Sequence, residues 1–90
     1  MLKRLKIIVY GRVQGVSFRH ATRTIARYTG VKGYVKNMHD GSVYIEAEAD
    51  SAALGEFVLW CRKGPDHAIV DRIETEDMPV KNDNAFDIRF

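Results

Sequence analysis

Cysteine is almost missing from this sequence: Cys61 is the one thiol in 90 residues, so no internal disulfide can form. The three histidines are scattered, and no Cys/His cluster offers four ligands at zinc-finger spacing. A reducing, cytoplasmic setting is the expectation. Long apolar runs are missing too. The longest near the start is Ile7 to Val9, too short for the core of a secretion signal and far below the ~20 apolar residues of a membrane span. No membrane partner is expected. There are only two prolines, Pro65 and Pro79, and no internal repeat or low-complexity segment. The most telling absence is acidic. The first 39 residues hold nine Lys or Arg and no carboxylate, Asp40 being the first acid. All twelve acids follow, against five bases, so a net charge of +2 divides into +9 and −7. Either the basic first half pairs with the acidic second half within one fold, or the first half builds an anion site.

What is present is a core. Twenty-eight residues are Val, Ile, Leu, Phe, Met or Trp and 46% of the chain is apolar in the wider sense, enough for one domain over residues 1–90 without disulfide or structural metal. Leu5, Ile7 and Val9 recur at every second position, with Ile8 and Tyr10 on the opposite side, predicting a strand over 5–12 that is apolar on one face and partly covered on the other. Gly11 and Gly15 bracket a loop. Phe18, Ala21, Thr22, Ile25 and Ala26 recur at three and four, predicting a helix over 18–29 with Ser17 as N-cap and Gly30 as C-cap. Asp40-Gly41 is a tight-turn dipeptide between strands 33–38 and 42–49. In the second of these, Val43, Ile45, Ala47 and Ala49 face a core, while Tyr44, Glu46 and Glu48 are expected to face water. Leu54, Phe57, Val58 and Cys61 mark a second helix over 52–62, capped by Asp50 or Ser51 and stopped by Gly64-Pro65. A strand over 69–76 follows, with a bulge expected because Val70 and Ile73 break the alternation. Residues 77–85 read as a polar linker, and Phe86, Ile88 and Phe90 as a short last strand.

The order β-α-β-β-α-β plus a short C-terminal strand, with right-handed crossovers, predicts an α+β fold: a ferredoxin-like α/β sandwich, an antiparallel sheet with both helices on one face. That architecture hosts enzymes, RNA binders and regulatory modules alike, so function must be read from the site.

The segment Gly11-Arg12-Val13-Gln14-Gly15-Val16-Ser17-Phe18-Arg19 joins a strand to a helix N-terminus. Free N–H groups of the first helical turn, the positive end of the helix dipole and a guanidinium converge there, which suits a phosphoryl group. The Lys-Ser/Thr ending of a Walker loop is missing, and the same pattern also fits a plain β-α turn with a solvated Arg19.

Together with Gly33-Tyr34-Val35-Lys36-Asn37-Met38-His39-Asp40-Gly41-Ser42-Val43, this segment resembles the two signature regions of the acylphosphatase family. The resemblance runs through Gly64-Pro65, Val70-Asp71-Arg72 and the terminal Ile88-Arg89-Phe90. Tyr34 stands where the family often has Trp, Asp50 where Gly is frequent, and Ser17 at a variable position. It implies hydrolysis of a small-molecule acyl phosphate to a carboxylate and inorganic phosphate. Arg19 would bind phosphate with the backbone N–H groups of Gln14, Gly15, Val16, Ser17 and Phe18, and Asn37 would position the attacking water. No metal, no cofactor and no nucleic acid is implied, and a monomer is expected. His20 and His39 flank these positions and read as solvated, as does His67; Cys61 reads as core.

Two rivals share the element order. An RNA-recognition domain would stack bases on Tyr10 and Tyr44, but Glu46 and Glu48 on the same face would repel a nucleic-acid backbone. A non-catalytic phosphate- or ligand-binding regulatory module, or a detached relative of domains in larger carbamoyl-transferring enzymes, would keep the cradle without the chemistry. The presence of both Arg19 and Asn37, and a length of 90 residues, favours the enzyme.

Overall fold

The alternation that begins the chain produces a long strand, β1, Leu2–Arg12, in a computed structural model describing all residues 1–90. Then come α1 (Phe18–Thr29), β2 (Lys32–Asn37), β3 (Val43–Asp50), α2 (Ser51–Lys63), β4 (Ile69–Met78) and β5 (Phe86–Arg89). The sheet runs β4-β1-β3-β2-β5. Phe18, Thr22 and Ala26 of α1 and Leu54, Phe57 and Cys61 of α2 are buried. They cover Ile7, Val9, Val35, Val43, Ile45 and Ala47, each at most 1% exposed. Asp50 caps α2 by accepting from the N–H of Ala52. The ferredoxin-like arrangement holds.

Three expectations need correction. The sheet is mixed rather than antiparallel, because β5 runs parallel to β2. β4 ends at the edge of the sheet away from the β1–α1 loop, so a strand added beyond β2 from that end must share the direction of β2. Next, residues 77–85 are not simply a linker. Asp77 and Met78 pair with Leu5 and Arg4 in β4, and the rest crosses the helix-free face to reach β5. Finally, that face of β3 is not wet.

Glu46 and Glu48 are only 4% and 2% exposed, and Arg4 beside them 1%. The Arg4 guanidinium donates to Glu46 at 2.7 Å and 3.0 Å, to Glu48 at 3.3 Å and to Asp83 at 3.0 Å. The crossing segment supplies Asp83, the backbone N–H of Lys81 to Glu48 at 2.7 Å, and the Lys81 ammonium to Glu46 at 3.3 Å. Tyr34 and Tyr44 each donate a hydroxyl to Glu46, at 2.7 Å and 2.8 Å. Buried charge is tolerable only when paired this completely, and no buried side-chain polar atom is left without a partner.

The expected bulge is present. Tyr10 pairs with Arg72 but Gly11 with Val70, leaving Asp71 as the extra residue of β4. Gly11 has φ 134°, and a Cβ there would lie 2.1 Å from the carbonyl oxygen of Ile69. Only glycine lets the two backbones approach this closely where β1 turns into the loop.

Candidate active site

Both ends of the β1–α1 loop are pinned by apolar burial. Val13 is 1% exposed and Phe18 2%, the Phe18 ring packing against Trp60 with centroids 5.6 Å apart. Between them Gly15 (φ 74°) and Ser17 (φ 63°) both take left-handed backbone conformations. Such turns point successive N–H groups toward one concavity, an arrangement that favours anions. The N–H groups of Gln14, Gly15, Val16 and Ser17 donate to no protein acceptor, and the first intrahelical bond of α1 is from Ala21 to Ser17. The amides of Phe18, Arg19 and His20 are thus the free donors of a helix N-terminus.

Ser17 does not cap the helix as expected. Its φ and ψ of 63° and 26° are not those of a capping residue, and its hydroxyl makes no cap hydrogen bond. A capping side chain needs an extended backbone to reach the second or third amide. The left-handed turn leaves those amides open instead.

Arg19 lies in the first turn of α1, which contains no acid. Its guanidinium lies over the ring of Phe90, 4.6 Å from the centroid. Phe90 was expected inside the last strand, but β5 stops at Arg89 and Phe90 is 96% exposed. Lys36 pairs with Arg89 in the β2–β5 register, so Phe90 follows the end of β5 at the level where Asn37 ends β2. Arg19 therefore lies toward the end of the sheet at which Asn37 closes β2. Asn37 itself closes β2 opposite Val43 and is half-buried.

The turn that follows Asn37 is stiff. The Met38 N–H donates to the Ser42 carbonyl at 2.9 Å, the Gly41 N–H donates to the Met38 carbonyl at 3.2 Å, and Asp40 accepts from both the N–H and hydroxyl of Ser42 at 2.9 Å and 2.6 Å. Those bonds hold the Asp40 carboxyl below its ordinary pKa. Onto this turn the Gln14 carboxamide donates twice, to the carbonyls of Met38 at 2.7 Å and Ser42 at 2.9 Å.

Every expected site residue thus lies at one end of the sheet. Two contacts were missed by sequence reasoning, the Gln14 side chain and the Phe90 ring, because both join positions far apart in the chain. His20, His39 and His67 are exposed, and no three His, Cys, Asp or Glu side chains gather as ligands for a metal ion. Burial pushes the Cys61 thiol up to about 12. The two concavities lie elsewhere: about 160 Å³ between α2 and β1, lined by Leu5, Leu54 and Val58, and about 330 Å³ between the helices, beside Ile25 and Trp60. Neither is lined by a residue of the β1–α1 loop or by Asn37.

A family model described as acylphosphatase matches residues 5–88. An acylphosphatase of Anaeromyxobacter dehalogenans is 48% identical over 88 residues, covering 97% of this chain and 95% of that one. One from Thermotoga maritima is 47% identical over 89 residues, with 99% of both chains covered. Among solved structures, the acylphosphatase of Bacillus subtilis superposes with a TM-score of 0.95 at 36% identity, covering 100% of each chain.

Proposed function

The chain belongs to the acylphosphatase family and hydrolyses the carboxyl–phosphate bond of acyl phosphates; we propose that Arg19 and the N–H groups of Gln14, Gly15, Val16, Ser17 and Phe18 hold the phosphoryl group while Asn37 positions the attacking water. One observation carries this assignment: a run of unclaimed backbone N–H groups leads into a helix whose first turn offers a guanidinium and no acid. The helix dipole and the left-handed turns add to the attraction.

Water attacks phosphorus, the bond from phosphorus to the bridging oxygen breaks, and a carboxylate leaves with the electron pair. Its conjugate acid has a pKa of roughly 4 to 5, like side-chain carboxyls, so it departs without being protonated. General acid catalysis is unnecessary. In a loose, metaphosphate-like transition state the work is positioning and charge stabilisation, which a ring of amides and a guanidinium fork supply. The neutral carboxamide of Asn37 orients water without repelling the phosphate, and a phosphate oxygen accepts the proton that water gives up. This chemistry asks for no metal and no cofactor.

The proposal extends to a single domain over residues 1–90 acting as a cytoplasmic monomer. In support, the helix-free face of the sheet is crossed by residues 79–85 and its carboxylates are neutralised. The exposed apolar side chains Tyr28, Leu59 and Ile69 stand on three different elements, α1, α2 and β4. No helix is long and apolar enough to cross a membrane. A nucleic-acid partner is not proposed, on altered grounds. Glu46 and Glu48 are paired and buried, so repulsion is not the obstacle; but Arg72 and Lys36 lie over the rings of Tyr10 and Tyr44, where bases would stack.

Phosphate release from an aromatic acyl phosphate, measured with a chelator present, tests the assignment. Turnover is expected to persist in chelator, to fall by about 10³-fold or more in Arg19→Ala, and to be rescued poorly by Arg19→Lys, because a point charge cannot reproduce the fork. Normal turnover in a well-folded Arg19→Ala variant would remove Arg19 from the mechanism.

A further inference from the structure

We propose that the side chain of Gln14 is a positioning residue for hydrolysis, fixing the phosphate loop against the strand end that carries Asn37; the inference rests on the roles proposed above for the loop and for Asn37. The topology creates the need. Loop and Asn37 leave β1 and β2, which are not neighbours, since β3 lies between them. No ladder hydrogen bond sets the distance from cradle to water. The loop must pass over the start of β3, and there Gln14 uses both amide protons, one on the carbonyl of Met38 at 2.7 Å and one on that of Ser42 at 2.9 Å.

These two carbonyls are the ones that close the turn after Asn37. Ser42 is 3% exposed and held by Asp40, so Gln14 docks on a rigid object rather than a mobile loop tip. Met38 directly follows Asn37. A shift of the loop relative to Met38 is therefore a shift of the bound phosphorus relative to the water that Asn37 orients. Geometry alone keeps the loop amides free for phosphate when Gln14 is shortened, so the loss belongs to the chemical step.

Steady-state and single-turnover kinetics of Gln14→Ala, Gln14→Glu, Asn37→Ala and the Gln14→Ala/Asn37→Ala double variant test this, with inorganic phosphate inhibition as the measure of the cradle. Gln14→Ala is expected to lower kcat about 10- to 100-fold, as a small misplacement does, with KM and the phosphate inhibition constant within about threefold of wild type. In the Asn37→Ala background the same substitution is expected to cause no further loss, since both act on one geometry. Gln14→Glu keeps the length and supplies a pH signature. Its ionised carboxylate faces two carbonyl oxygens and is repelled, whereas the protonated form donates to one of them. Activity relative to wild type should rise as pH falls through the carboxyl range, about 4 to 5. This readout holds even if the alanine variant folds poorly. Additive losses in the double variant, a phosphate affinity that falls in step with kcat/KM at unchanged kcat, or a flat relative pH profile for Gln14→Glu would each overturn the inference alone. Full turnover in Asn37→Ala would instead overturn the reading beneath it, and this inference with it.

Discussion

Ser17 adopts φ 63° and ψ 26°, a left-handed conformation that costs an L-residue roughly 1–2 kcal/mol. Two residues on, Arg19 puts a positive charge in the first turn of α1, where the dipole disfavours a cation by about 0.3–1 kcal/mol. Neither choice helps the helix, and both help an anion. Relaxed backbone at Ser17 would close the amides, and an acid at position 19 would occupy them. Because the Ser17 hydroxyl makes no cap bond, Ser17→Gly should raise stability by about 1 kcal/mol, while leaving turnover near wild type. Chemical denaturation beside phosphate release checks both halves. A loss of roughly a few tenths of a kcal/mol instead would restore the capping role.

The segment from Met78 to β5 is the element least like its sequence. The strands and helices were legible because apolar residues at periods of 2 and 3.6 announce a buried face, and the break at Val70 and Ile73 announced the bulge that leaves Asp71 unpaired. Residues 79–85 announce nothing of the kind. They cover the sheet through the Asp83 carboxylate, the Lys81 ammonium and a backbone N–H, and a backbone donor leaves no trace in a side-chain pattern. Nor could Glu46 and Glu48 be seen as buried until the register set Arg4 across from Glu48. The cluster carries an acid prediction. Burial would push the Glu46 carboxyl up, but hydrogen bonds from Tyr34, Arg4, Tyr44 and Lys81 outweigh it and hold it at about 2. A group with its folded pKa depressed contributes stability that is complete above its unfolded value of 4.5 and is lost as pH falls toward 2. Thermal melts should therefore show Tm dropping through that window in the wild type. In Glu46→Gln the protein should already be destabilised at neutral pH by about 3 kcal/mol, because Arg4 is left partly unpaired, and its Tm should fall less steeply in acid. Parallel acid profiles for the two proteins would mean that another carboxylate governs the loss.

Across the whole molecule the pairing reading of the charge asymmetry holds for part of the basic half, and the anion-site reading is the one proposed for Arg19. Of the nine bases in the first 39 residues, Arg4 and Lys6 form ion pairs with acids of the second half, to Glu46, Glu48, Asp83 and Glu76. The other seven make no ion pair; Arg12, Arg19 and Lys36 lie toward the loop end of the sheet, where an anionic substrate would meet them, and Lys3 and Lys32 at the opposite end. The cradle was legible because residues 11–19 are consecutive, so strand, glycine loop and helix start could be read from one stretch. Asn37 had only its family resemblance to single it out. The long-range contacts at this end, Gln14 on the turn after Asn37 and Phe90 under Arg19, depend on strand order and register, which no local pattern encodes. The central claim is a division of labour, with the β1–α1 loop binding phosphate and the end of β2 supplying water. Turnover and inorganic phosphate affinity measured side by side on Asn37→Ala test it most directly. The account expects kcat to fall by about 10²-fold or more with phosphate bound as tightly as in the wild type, whereas near-normal kcat, or phosphate binding lost together with turnover, would contradict it.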